Sequence, residues 1–156
     1  MEDYTISDHK HMLGTLVQQV RDLLVKAKNN DLKQYGITVR QLAVLDIISI
    51  LGNKATPTEI SVRLLRQPHS ISSLLARMEK RGLVSRAVNP EMKKSVNISL
   101  TKKGKQLLKD SLETETVRDI VSCLPENELH QLIASLKELR NTAIDKLSRT
   151  NSPPFP

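Results

Sequence analysis

Leu13, Leu16, Val20, Leu23 and Ala27 recur at alternating spacings of three and four residues. That period belongs to one face of a helix that meets another helix along a narrow seam. The pattern predicts a helix over residues 8–28, with Asn29, Asn30 and Gly36 marking its exit and the loop beyond. Thr38 opens a second helix, and Gln41 three residues on completes a capping box. Its apolar positions are Leu42, Val44, Leu45, Ile47, Ile48 and Leu51, and Gly52-Asn53 stops it. A short third helix starts at Thr56-Pro57, with Glu59 as the capping partner and Ile60 and Leu64 as its apolar stripe. Gln67-Pro68 opens a fourth, in which Ile71, Leu74, Leu75 and Met78 fall on one face and Gly82 ends the run.

The period then changes from helical to alternating. Val84 and Val88, then Val96, Ile98 and Leu100, alternate with polar residues around the turn-rich segment Asn89 to Lys94, which predicts a β-hairpin. Thr101 caps a long helix expected to run through Leu107, Leu108, Leu112 and Ile120 to about Ser122. Pro125 starts the last helix, with Leu129, Leu132, Leu136, Leu139 and Ala143 repeating the three-four seam of the first. The tail from Asn151 has three prolines in six residues and is expected to be disordered. The chain is therefore mostly α with a small β-hairpin. Residues 1–37 form an N-terminal dimerisation helix and loop, 38–100 a winged helix-turn-helix lobe, 101–148 the C-terminal dimerisation helices, and 149–156 the tail.

A length of 156 residues fits one domain. Twelve of the 24 Lys and Arg residues lie between Lys54 and Lys105, where only Glu59, Glu79 and Glu91 are acidic. A basic block in an otherwise mildly acidic chain points to a polyanion. Tyr4, Tyr35 and Phe155 are the only aromatics, so the chain lacks the stacking platform on which single-strand and RNA binders hold bases. Duplex DNA fits better. Met1 to Lys10 is polar, and no apolar run approaches the roughly 18 residues of a membrane span, so a soluble, cytoplasmic protein is expected.

A helix fits the major groove of B-DNA, with its first turn nearest the base edges. On the fourth helix, the face opposite Ile71, Leu74, Leu75 and Met78 carries His69, Ser70, Ser72, Ser73 and Arg77, none of them acidic. Arg77 has the fork to read a guanine, and the serines reach bases or phosphates without bulk. Arg66 in the turn and Arg86 on the first strand are expected to hold the DNA backbone. Lys93 and Lys94 at the hairpin tip would lie over a neighbouring minor groove or backbone.

The run Leu74 to Arg86, LLARMEKRGLVSR, followed by Ile98 to Gly104, ISLTKKG, resembles the MarR family of transcription regulators. The family pattern is a helix ending Leu-Glu-x-x-Gly-Leu-Val-x-Arg, a charged wing, then Leu-Thr-x-x-Gly opening a long helix. Met78 stands where Leu is usual, and the resemblance spans roughly residues 10–150. It implies a homodimer with interdigitating terminal helices, a palindromic operator, repression of nearby genes, and release by a small molecule or by oxidation. Leu13, Leu16, Val20, Leu129, Leu132, Leu136 and Leu139 are the expected dimer contacts. The wing departs from the family: Glu91-Met92-Lys93-Lys94 replaces the usual Asp and Arg, which suits backbone contact more than minor-groove readout. In the family, effectors bind near the first, second and fifth helices, here around Met12, Leu16, Tyr35 and Ile47, which are also ordinary core positions.

Cys123 is alone, which excludes an intramolecular disulfide, and family members that sense oxidants carry the cysteine in the first helix. His9 and His11 project to different faces of a helix and have no third ligand close in sequence, so no metal is expected. With no cofactor loop and no nucleophile assembly, the chain does not read as an enzyme. The alternative to a DNA-binding regulator is a winged-helix protein-interaction module, an anti-repressor or adaptor that binds no operator itself.

Overall fold

The computed structural model describes residues 9–88, 95–112 and 114–148. The expected tail disorder at 149–156 lies outside them. Helix α1 (His9–Leu32) is followed by a 3-10 turn (Lys33–Tyr35) and α2 (Val39–Leu51). A second 3-10 turn (Gly52–Lys54) leads to α3 (Pro57–Arg63) and α4 (Pro68–Lys80). Strands β1 (Val84–Val88) and β2 (Val96–Leu100) form the hairpin, followed by α5 (Lys102–Leu112), α6 (Thr116–Val121) and α7 (Glu126–Ser148).

The core belongs to the middle of the chain. Leu42, Val44, Leu45 and Ile48 of α2 pack with Ile60 of α3, Ile71, Leu75 and Met78 of α4, Val84 and Ile98 of the hairpin, and Leu108 of α5. The hairpin is antiparallel, pairing Val84 with Leu100, Arg86 with Ile98 and Val88 with Val96. Ala55, buried ahead of α3, extends this sheet by one contact: its carbonyl accepts from the Ile98 N–H at 2.7 Å.

The terminal helices stand apart from this core. Leu13, Leu16 and Val20 on α1 and Leu132, Leu136 and Leu139 on α7 are each 41–51% exposed, and Leu129 is half-buried. Within one chain the two seams do not cover each other. Only the C-terminal end of α1 is anchored, with Leu32 fully buried.

Two helix boundaries differ from the sequence expectation. First, α1 continues through Asn29 and Asn30 to Leu32. The Asn29 side chain accepts from the Val39 N–H at 2.9 Å, so it caps α2 rather than ending α1, and tertiary contact overrides its weak helix propensity. Second, the helix expected from Thr101 to about Ser122 is two helices, α5 and α6. Thr114 and Thr116, near the break, hydrogen-bond to Lys28 and Asp31 of α1, the latter at 2.7 Å. Threonine hydroxyls that find such partners compete with helix continuation.

Candidate nucleic-acid interface

The reading helix is set by caps at both of its neighbours. Thr56 accepts from the Glu59 N–H at 3.1 Å and Pro57 occupies the first helical position of α3. The return half of the expected capping box is not made; the Glu59 carboxylate pairs instead with Arg63 at 2.9 Å. At Thr38 both halves are present. Between α3 and α4 the chain turns through Leu65 at φ +51°, unusual for a residue with a Cβ. The Leu65 and Arg66 N–H groups close the end of α3 on the Val62 and Ser61 carbonyls at 3.2 and 2.9 Å. Three residues later α4 begins at Pro68, with no side-chain cap from Gln67 and no acid in its first turn. Its leading N–H groups are left for an outside acceptor.

The two faces of α4 are as the spacing predicts. Ile71, Leu75 and Met78 are buried, while His69, Ser70, Ser72, Ser73 and Arg77 are exposed. His69, Ser70, Ser73 and Arg77 line a groove of about 580 Å³ between α4 and the first turns of α2. Arg66 enters it from the turn and Arg40 from α2. Among the described residues, no carboxylate pairs with Arg40, Arg66 or Arg77.

Sequence reasoning missed Arg40. It sits in the first turn of α2, where the helix dipole disfavours a cation. That unfavourable placement was the available signal.

Ser72 and Arg86 lie on the other flank of α4. The Arg86 guanidinium has its Nε 3.1 Å from Glu79 Oε2 and donates to the Ser72 carbonyl at 3.3 Å. Lys93 and Lys94 fall outside the described residues.

The back of the lobe is built by the Thr-x-x-Gly turn. Gly82 ends α4 at φ +69°, its N–H on the Glu79 carbonyl at 2.8 Å and the Leu83 N–H on Met78 at 3.0 Å, the double bond of a Schellman end. The Thr101 hydroxyl donates to the Gly82 carbonyl at 2.6 Å and accepts from the Gly104 N–H at 3.0 Å, so one side chain caps α5 and ties it to the end of α4. Lys103 donates to the Arg81 carbonyl at 3.1 Å, so it helps to cap α4.

Cys123 is exposed in the turn between α6 and α7. Among the described residues, no three His, Cys, Asp or Glu side chains group closely enough to hold a metal ion. Likewise, no single described helix is long and apolar enough to cross a membrane.

This arrangement has counterparts among known proteins. The chain is 30% identical over 129 residues to the HTH-type transcriptional regulator PecS of Dickeya dadantii, an alignment that covers 80% of this chain and 77% of PecS. Among solved structures, a mutant MarR from E. coli complexed with operator DNA superposes with a TM-score of 0.77 at 26% identity, covering 85% of this chain and 99% of that one. The organohalide-sensing regulator RdhR in its 2,4-dichlorophenol-bound form gives a TM-score of 0.81 at 26% identity, covering 91% and 85% of the two chains. Those relatives are transcriptional regulators, and none is described as an enzyme. With the family's own sequence model matching residues 35–95, across α2, the reading helix and the hairpin, the chain belongs to the MarR family of transcription regulators.

Proposed function

We propose that the protein is a homodimeric repressor that binds a palindromic duplex operator and is released by a small molecule. The observation that carries the DNA reading is the groove flank of α4. Arg40, Arg66 and Arg77 surround it with His69, Ser70 and Ser73, and no described carboxylate neutralises them. In this reading Arg77 reads a base edge while Arg40, Arg66 and the leading N–H groups of α4 hold phosphates. Lys93 and Lys94 add backbone contacts from the wing.

The uncovered seams of α1 and α7 support dimerisation, because a second copy is the partner whose matching seams would bury them. Two lobes related by a two-fold axis would place half-site centres about 10 bp apart. Release by a small molecule is supported by the resemblance to RdhR, whose structure holds 2,4-dichlorophenol.

The test is a titration of the protein with duplex DNA from upstream of its own gene, repeated with halogenated phenols added. Retardation that weakens steeply with salt supports the DNA reading, and loss of the complex on adding a phenol supports release. No retardation at low salt would favour a protein-interaction module on the same scaffold.

A further inference from the structure

Arg86 lies on the inner face of the hairpin. Strand side chains alternate, so it shares a side with Val84 two residues before it and with Ile98 directly across the ladder. Val84 and Ile98 are buried, and that face packs on α4. The guanidinium meets α4 at two places: Glu79 Oε2 lies 3.1 Å from its Nε, and the Ser72 carbonyl accepts from its terminal nitrogen at 3.3 Å. Ser72 and Glu79 are seven residues apart, two turns along one face of the helix. The rigid planar fork of an arginine suits a double contact of this kind. Its side chain is 32% exposed, and its charge is already matched by Glu79. Arg40, Arg66 and Arg77 have no such partner among the described residues.

We propose that Arg86 and Glu79 are positioning residues for duplex recognition. The bridge from β1 to Glu79 and Ser72 fixes the rotation and tilt of α4 against the hairpin, and the Arg86 guanidinium neutralises no DNA phosphate. This rests on the reading of α4 as the DNA-contacting helix. It has a consequence of unusual sign. Glu79 is an acid on a basic surface, so on charge alone its removal should tighten binding to a polyanion. If Arg86 were a phosphate contact, freeing it from Glu79 would tighten binding further. A positioning bridge requires the opposite, because either half alone leaves α4 unbraced.

The experiment measures fluorescence anisotropy of the full chain on the upstream duplex and on a scrambled duplex across a salt series. The proteins are wild type, Glu79→Gln, Arg86→Gln and the double variant, with helix content of each checked by circular dichroism. Each single change is expected to weaken operator binding about fivefold or more, with the double no worse than either single. The scrambled duplex should be affected less, and the salt slope should stay at the wild-type value. Glu79→Gln binding as tightly as wild type, or more tightly, overturns the positioning role. So does a slope reduced by about 0.9 in Arg86→Gln, the signature of one lost phosphate contact. A wild type that binds no duplex at low salt overturns the DNA reading itself, and the positioning role with it.

Discussion

Replacing Gly104 by alanine adds one methyl group, and the fold has no room for it. A Cβ at this position would lie 2.0 Å from the Leu83 carbonyl oxygen and 3.0 Å from its carbon. Both are backbone atoms, held by the Thr101 N–H on the Leu83 oxygen at 3.2 Å and by the Schellman end of α4. The first turn of α5 must therefore move away from α4, which breaks the Thr101 tether and opens the core around Leu83, Val84 and Leu108. Overpacking in a closed core costs about 1–3 kcal/mol, and a lost cap adds about 1 kcal/mol. A total near 3 kcal/mol is a large share of the roughly 5–15 kcal/mol that holds a domain folded.

Gly82→Ala is the control. Its φ of +69° makes any side chain strained, but nothing lies within 4 Å of the added carbon, so only the backbone cost of about 1 kcal/mol applies. Urea unfolding followed by circular dichroism, at fixed protein concentration, compares the two. Gly104→Ala should lose about three times the stability that Gly82→Ala loses. Equal losses, or a Gly104→Ala within about 0.5 kcal/mol of wild type, would refute the close-approach reasoning.

The other predictions are independent of that one. Arg77→Ala should cost about 1–3 kcal/mol on the operator, with discrimination relaxed at one base position, read by competition with single-site operator variants. Leu16→Asp or Leu136→Asp should shift the protein to monomer in sedimentation velocity, since each apolar side chain buried at such a seam contributes about 1.5–3 kcal/mol; a variant that stays dimeric removes that residue from the interface. Thr38→Ala, which removes the hydroxyl half of the capping box at α2, should lower stability by about 1 kcal/mol in thermal melts. A change below a few tenths would mean that Asn29 alone suffices to start that helix.

The sequence signals that read correctly are local. Thr38 with Gln41, Thr56 with Pro57, and Gly82 each satisfy or end a backbone within a few residues, and the change of period at Val84 follows from the alternation of strand side chains. The signals that failed need partners far along the chain. Asn29 resembles a helix exit until its side chain is seen on Val39, ten residues on. The break after α5 depends on Lys28 and Asp31, more than 80 residues upstream.

The functional side chains divide in the same way. His69, Ser70, Ser73 and Arg77 were legible because helical spacing alone places them opposite a buried stripe. Arg40 was not, because its approach to that groove depends on how α2 packs beside α4. Arg86 was legible as a cation, and its engagement by Glu79 and Ser72 is visible only once β1 lies against α4.

The most direct test of the central claim is the salt dependence of operator binding in wild type and in Arg40→Ala. If the groove flank of α4 holds a duplex, the logarithm of affinity should fall linearly with the logarithm of salt concentration. Arg40→Ala should then weaken binding to every duplex alike and shallow the slope by about 0.9. Affinity that ignores salt, or an Arg40→Ala slope equal to that of wild type, would contradict it.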